Sequence, residues 1–423
     1  MPPVAESTLS VRADFPILQR RPGGRPLVYL DSAATSQKPA AVIAAVADHL
    51  RDHNANVHRG VYALAQEADA AFEGARERIA AFVGGEPRTT IFTKNVTEAI
   101  NLVAYSWGRA NVGEGDAVLV TQAEHHANLV PWQVLCRERG AQLRYLEVDE
   151  HGELSLDALD GELERGDVRL VAFTHVSNVL GTINPVAEIA RRVRAAGALS
   201  LIDGAQGVPQ LPVDVAAIGA DFYAWTGHKA LGPTGIGVLH GRREVLEEME
   251  PFLTGGDMIA SVDFDGATWA ELPSKFEAGT QPIAEAVGLA AAVDYLAALG
   301  MERVREHELA LTAHMLEGLA TVPGLRVVGP TDAALRGGLA SFTIEGIHPH
   351  DVAELCDREG VCIRAGHHCA QPLMRCLGVG ATARASVGVY NDRADVDALV
   401  HALQGARGVF GLDGASGNGA AAG

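Results

Sequence analysis

Arg169-Leu-Val-Ala-Phe-Thr174, a helical stretch Val186 to Ala196, and Leu199-Ser-Leu-Ile-Asp203 decide the fold of this chain. Both short runs are apolar at consecutive positions, so each suits a strand covered on both faces. Between them lies a segment with an arginine-rich exposed side, long enough to cross over and return the chain in parallel. Working outward, further β-rich runs occur at Ala117-Val-Leu-Val-Thr121, Leu143-Arg-Tyr-Leu-Glu-Val148, Ala220-Asp-Phe-Tyr-Ala-Trp225 and Gly235-Ile-Gly-Val-Leu239. The alternation predicts an α/β fold with a mostly parallel, doubly wound sheet.

After about residue 290 the pattern changes. An Ala/Leu helical region, Ile283 to Leu316, precedes strands at Leu325–Val328 and Ala340–Thr343, a helix Asp351–Arg358 and a strand Val361–Arg364. A strand Ala383–Val389 and a helix Ala394–Gln404 follow. This predicts a smaller α+β C-terminal domain over 291–410, after a large domain over 31–290. Residues 1–30 form an N-terminal segment packing with the small domain. The small, polar stretch 411–423 reads as a disordered tail. There is no internal repeat.

With 34 basic and 53 acidic residues the net charge is −19, and the basic residues form no cluster. Nucleic acid and anionic membrane are therefore not expected partners. The opening Met1-Pro-Pro-Val-Ala-Glu has neither a charged nor an apolar leader segment, so no signal peptide is expected. Cys136, Cys356, Cys362, Cys369 and Cys376 make an odd count with no Cys-x-x-Cys pair, which suits a reducing, cytoplasmic setting. The last three are seven residues apart, which matches no zinc spacing, and no metal is expected.

Chemistry gathers at two places. Arg364-Ala-Gly-His-His-Cys-Ala-Gln-Pro372 offers a thiol, Cys369, directly after two imidazoles. Thr226-Gly-His-Lys229-Ala-Leu-Gly offers an amine in a glycine-rich turn. A thiol nucleophile and a Schiff-base amine together imply covalent chemistry on an amino acid. Only four lysines exist, and Lys38, Lys94 and Lys275 read as solvated or surface residues, leaving Lys229.

Other residues fit around them, each with a plainer alternative. Thr97, in Thr93-Lys-Asn-Val-Thr97-Glu98, suits a phosphate cradle at a helix start or a simple capping role. Asp203 ends a strand where open α/β sheets place ligands, and suits a protonated pyridine nitrogen or a helix cap. His125 in Glu124-His125-His126 suits stacking on a planar cofactor or proton transfer, and the His/Cys set leaves a zinc reading open. Arg384, within Ala381-Thr-Ala-Arg-Ala-Ser-Val-Gly388, suits a carboxylate clamp or an edge-strand surface. The conjunction describes pyridoxal phosphate holding an amino acid.

From Arg12-Ala-Asp-Phe-Pro16 to Ala394 the sequence resembles the SufS-type (group II) cysteine desulfurases, class V aminotransferase members of the fold-type-I pyridoxal phosphate enzymes. The matching stretches include Tyr29-Leu-Asp-Ser-Ala-Ala34, Val57-His-Arg-Gly60, Glu124-His-His-Ala-Asn-Leu-Val-Pro-Trp-Gln133, Thr174-His-Val-Ser-Asn-Val-Leu-Gly181, Phe276-Glu-Ala-Gly-Thr280 and the short Cys369 loop. The resemblance implies that Lys229 holds the cofactor covalently, Asp203 meets the pyridine nitrogen, Gln206 bonds the ring hydroxyl and His125 stacks and transfers protons. It implies a phosphate held by Thr97, Thr226 and His228, with Thr280 reaching across a homodimer. Asn178 and Arg384 position L-cysteine, and Cys369 accepts its sulfur. The implied activity converts L-cysteine to L-alanine with a persulfide on Cys369, supplying sulfur for iron–sulfur cluster assembly. A selenocysteine lyase of the same fold and a zinc-dependent hydrolase are the alternatives. Members carrying His-Pro-His-Asp, here His348 to Asp351, hand sulfur to a zinc-bearing SufU-like acceptor rather than a SufE-like one, which makes His350 the expected partner contact. The family often has Ser where Thr226 stands, carries Ser or Glu where Asp257 stands, and has another residue pair where Gln281-Pro282 follows Thr280.

Overall fold

In a computed structural model of the chain, which describes residues 9–149 and 152–412, seven strands form the large sheet. They are β2 (Thr90–Thr93), β3 (Ala117–Thr121), β4 (Gln142–Leu146), β5 (Val168–Thr174), β6 (Leu199–Asp203), β7 (Phe222–Thr226) and β8 (Gly237–Gly241). Their order is β2-β8-β7-β6-β5-β3-β4; the pairs from β7 to β4 are parallel, and β8 runs antiparallel to both neighbours. The reason is visible in the side chains. Ala117 and Leu119 of β3 enter one core while Val118 and Val120 enter another, and Phe173 and Leu170 of β5 divide in the same way. Each central strand thus needs helices on both faces. The sheet has the α/β, mostly parallel architecture that the alternation predicts.

The expected helical region 283–316 is two helices, Ile283–Leu299 and Met301–Leu319, bent by 77° at Gly300. Gly300 adopts φ 82°, a left-handed conformation that ends the first helix. The first of them packs on the helices Ala40–Asp52 and Ala63–Phe82, and so runs past the expected boundary at residue 290. Among the described residues no single helix is long and apolar enough to cross a membrane.

A second sheet joins β11 (Leu325–Val328), β12 (Leu339–Ile344), β15 (Thr382–Ser386) and β14 (Arg364–Gly366) in that order, all antiparallel. The expected strand 361–364 is divided. β13 (Val361–Cys362) pairs instead with β1 (Val28–Tyr29) of the N-terminal segment, in parallel. Arg12 reinforces that contact through Asp395, at 2.8 Å. A hairpin of β9 (Ile259–Asp263) and β10 (Gly266–Trp269) stands apart with Phe264 fully exposed. Of the expected tail, residues 413–423 lie outside the described residues.

Candidate active site

Lys229 closes a 3-10 turn, Gly227–Lys229, that leaves the end of β7. Burial pushes its ammonium down to about 8, although the Asp203 carboxylate acts in the opposite direction. Asp203 ends β6 next door, and its Oδ1 accepts from Ala205 N at 2.9 Å. That bond serves a turn rather than a helix, and burial raises the carboxyl above the ordinary range. Gln206 is buried, donates from Nε2 to Ala33 O at 2.7 Å, and lines a small cavity together with Lys229.

Two expectations about the other lysines are corrected. Lys38 is not solvated: its Nζ donates to Ser36 O at 2.6 Å and His228 O at 2.8 Å, and burial brings it down to about 8. Lys275 is not a surface residue either, since its Nζ donates to the carbonyls of Leu246 and Glu247. Lys38 is half-buried and Lys275 buried, each partly by a segment distant in sequence. Lys94 is exposed.

The residues expected to hold a phosphate divide. Thr226 is buried and its Oγ1 has no partner, a hydroxyl left to serve something other than protein. His228 holds Thr35 Oγ1 at 3.2 Å through Nδ1. Thr97 is exposed at the second residue of the helix Val96–Leu102; capping there falls to Asn95, whose side chain accepts from Glu98 N. Thr280 is exposed, following Gly279 at φ 77°.

His125, His126 and Cys369 share a cleft of about 430 Å³ with Thr97, Tyr105 and Phe252. Nδ1 of His125 accepts from Ala127 N at 3.0 Å, and burial lowers the ring to about 3. The ring is therefore neutral with its proton on Nε2. His126 has a separate task. Its backbone N donates to Cys369 O at 2.7 Å, and its Nε2 accepts from Gln371 N at 3.0 Å.

The Cys369 loop turns between β14 and the helix Gln371–Cys376, with His368 at φ 50° and Cys369 at φ 57°. The thiol is exposed. His368 does not sit beside it, contrary to the sequence reading. The ring is buried, with Nε2 donating to Thr382 O and Oγ1 at 3.1 and 2.9 Å, and burial lowers it to about 3. The left-handed turn sends neighbouring side chains in opposite directions. Cations take that place: Cys369 acts electrostatically on Lys229, Arg364 and Arg384.

Arg384 lies on an interior strand, not an edge, and is buried. Its Nη1 donates to Asn178 O at 2.8 Å and its Nη2 to Asp31 Oδ1 at 3.4 Å, while Nε has no partner. Burial depresses it to about 10. Asn178 Nδ2 donates in turn to His368 O at 2.7 Å. Two residues escaped the sequence reading: Asp31, held against both Arg364 and Arg384, and Arg364 itself. The signal was present, since Arg364 opens the quoted cysteine stretch and Asp31 lies in Tyr29-Leu-Asp-Ser. Asp257 pairs with Arg59 at 2.8 Å. His350 is exposed near the start of the helix Pro349–Arg358, and its backbone N donates to His348 Nδ1.

The aminotransferase class-V family model matches residues 28–399. The chain is 48% identical over 415 residues to a cysteine desulfurase of Haloferax volcanii, covering 95% of this chain and 97% of that one. It is 49% identical to a probable cysteine desulfurase of Streptomyces coelicolor, covering 96% and 98%. The crystal structure of the cysteine desulfurase CsdA of Escherichia coli superposes with a TM-score of 0.87 at 40% identity, covering 94% and 98%.

Proposed function

The chain belongs to the class V aminotransferase family, in which it is a pyridoxal-phosphate-dependent cysteine desulfurase, and from that premise we propose how its own residues divide the work. The orphaned Thr226 hydroxyl, the buried Asp203 carboxylate and the depressed Lys229 amine fit that cofactor. When bound, the cofactor supplies an electron sink that makes the substrate's Cα proton labile. Lys229 holds it. Asp203 keeps the pyridine nitrogen protonated, Gln206 turns its remaining amide N–H toward the ring hydroxyl, and His125 covers the ring with its proton ready at Nε2. Thr226, His228 and Thr97 receive the phosphate, and exposed Thr280 is placed to serve a second copy in a homodimer.

Arg384 takes the carboxylate of L-cysteine, and Asn178 positions it there through the carbonyl that Arg384 Nη1 meets. Cys369 attacks the substrate sulfur: a sulfur–sulfur bond forms, the Cβ–S bond breaks, and the carbon fragment keeps the electron pair and leaves as L-alanine after protonation. Sulfur then passes to a small zinc-bearing acceptor through His350 and serves iron–sulfur cluster assembly. Residues 31–290 serve as the cofactor-binding domain, and 291–410 as the smaller domain that carries the Cys369 loop.

One observation carries this reading: a single thiol, Cys369, opens on the cleft it shares with His125, within the field of Lys229 and the buried Arg384. Incubation with L-cysteine should release L-alanine one for one with sulfur and add one sulfur to the Cys369 peptide by mass. Cys369→Ser should still bind cofactor and L-cysteine and gain no sulfur. Full sulfur loading of that variant at Cys362 or Cys376 would overturn the assignment.

A further inference from the structure

Glu124 and Asn128 flank His125 in the chain, and both are buried. Glu124 Oε1 accepts from Thr121 Oγ1 at 2.6 Å and from Thr174 N at 3.1 Å, while its Oε2 accepts from Asn128 Nδ2 at 2.6 Å. Asn128 Oδ1 accepts in turn from Trp132 Nε1 at 3.1 Å. The direction of this chain of bonds is fixed at its two ends, because an indole N–H and a main-chain N–H can only donate. Trp132, fully buried, holds the Asn128 carbonyl and so turns the Asn128 amide toward Glu124. Thr174 N needs an acceptor on the other side. The residue at 124 must therefore accept at both oxygens, which a carboxylate does and an amide cannot.

The bonds join separate elements at the point where His125 stands. Thr121 ends β3, and Thr174 ends β5 in a position that pairs directly with Asp203 of β6. Asn128 belongs to the 3-10 turn His126–Asn128, and its main-chain N donates to His125 O at 2.8 Å. His125 is thus held from both sides, and its place is tied to the strand end beside Asp203.

We propose that Glu124 and Asn128 are positioning residues, whose hydrogen-bonded pair fixes the turn that carries His125 and so holds the imidazole over the cofactor ring. This rests on the reading of His125 as the residue that covers that ring. Changing either partner alone sets like groups against each other: two amide N–H ends in Glu124→Gln, two carboxylate oxygens in Asn128→Asp. Changing both reverses the bond and restores it. The amide placed at 124 then donates to the carboxylate placed at 128, its carbonyl still serves Thr174 N, and the carboxylate still serves Trp132 Nε1.

The test is that exchange in the holoenzyme, with kcat and KM for alanine release, the visible circular dichroism of the bound cofactor and Tm as readouts. Each single variant should lower kcat about tenfold or more, with KM changed less, and should alter the dichroism. Glu124→Gln/Asn128→Asp should recover both, with kcat within about threefold of wild type. Thr121→Val removes one bond without opposing like groups, so it serves as the second probe should a single variant not fold. It should lower kcat about three- to tenfold. A merely structural pair would lower Tm alone. Values of kcat within about twofold of wild type in every single variant that folds, Thr121→Val included, overturn the proposal, as does a double variant no better than the product of its singles. His125→Ala keeps the two readings apart. Unaltered dichroism in that variant removes His125 from the ring and the proposal with it, whereas altered dichroism there and none in the Glu124 and Asn128 variants overturns the pair alone.

Discussion

Asn178 accepts from Arg384 through its main-chain carbonyl at 2.8 Å and donates from its side-chain amide to His368 O at 2.7 Å. One residue thus braces the Arg384 guanidinium with its backbone and the Cys369 loop with its side chain. The two duties are separable by mutation because only one of them uses the side chain.

Asn178→Ala should therefore keep the Arg384 bond and lose the loop tether. A neutral hydrogen bond contributes about 1 kcal/mol net, so sulfur loading of Cys369 should slow about five- to tenfold. Binding of L-alanine to the holoenzyme should weaken less than that. Single-turnover mass spectrometry of the Cys369 peptide beside calorimetry of L-alanine separates the two effects. Equal losses in both would show that the side chain itself holds substrate.

Lys229→Ala should leave a colourless protein with turnover reduced by at least ~10³-fold. Lys38 is the one lysine close enough to raise a challenge, but its Nζ is already committed to the carbonyls of Ser36 and His228. Capture of added pyridoxal phosphate by the apoprotein should also report the depressed amine. The neutral form of Lys229 grows as pH rises through about 8, so capture should accelerate from pH 7 to 9 and level off above. A rate still climbing steeply at pH 10 would place the reactive amine elsewhere.

Much of this was legible in the chain because the residues concerned answer to local rules. Strands β3 and β6 fall where the sequence places them, since runs apolar on both faces have few other uses. Strand β2 ends at Thr93, where the sequence leaves a strand to open a helix, but its place in the sheet is fixed by antiparallel pairing with β8, far away in sequence. Arg384 stood out as a long cation among small residues. His368 misled for the opposite reason: adjacency to Cys369 in sequence became separation in space once the turn took positive φ. Lys38 is half-buried and Lys275 buried by segments some 190 and 28 residues away, which no local pattern reveals.

Glu308 gives a prediction about stability. Its carboxyl is buried, Oε2 has no partner, and burial pushes it up to about 8, with Arg305 opposing. A carboxyl raised above its unfolded value binds more protons in the folded state between about pH 4.5 and 8, so this group's contribution to stability falls as pH rises through that window. Glu308→Gln removes the ionisation. The Tm of the variant relative to wild type should therefore rise between pH 5 and pH 8, by a few degrees at most. A difference constant with pH in thermal melts would show that Glu308 does not titrate in that range.

His350 carries the last prediction. The helix Pro349–Arg358 is capped by His348, whose Nδ1 accepts from His350 N, so the His350 side chain contributes nothing to the cap. Its imidazole is exposed, with its ring centre 5.0 Å from that of His348. A neutral imidazole in that position is a ready ligand for a zinc ion carried on another protein. Its arrival would free one of that protein's own zinc-bound cysteines to take the sulfur. His350→Ala should keep Tm within a degree or two and leave the reaction driven by a small-molecule reductant unchanged. Stimulation by a zinc-bearing acceptor should fall ~10-fold or more, the usual loss when a metal contact is removed. His348→Ala should instead lower Tm through the lost cap, by an amount set by about 1 kcal/mol. Steady-state alanine release with and without acceptor, run beside thermal melts of both variants, distinguishes the roles. Undiminished stimulation in His350→Ala would remove this residue from the transfer.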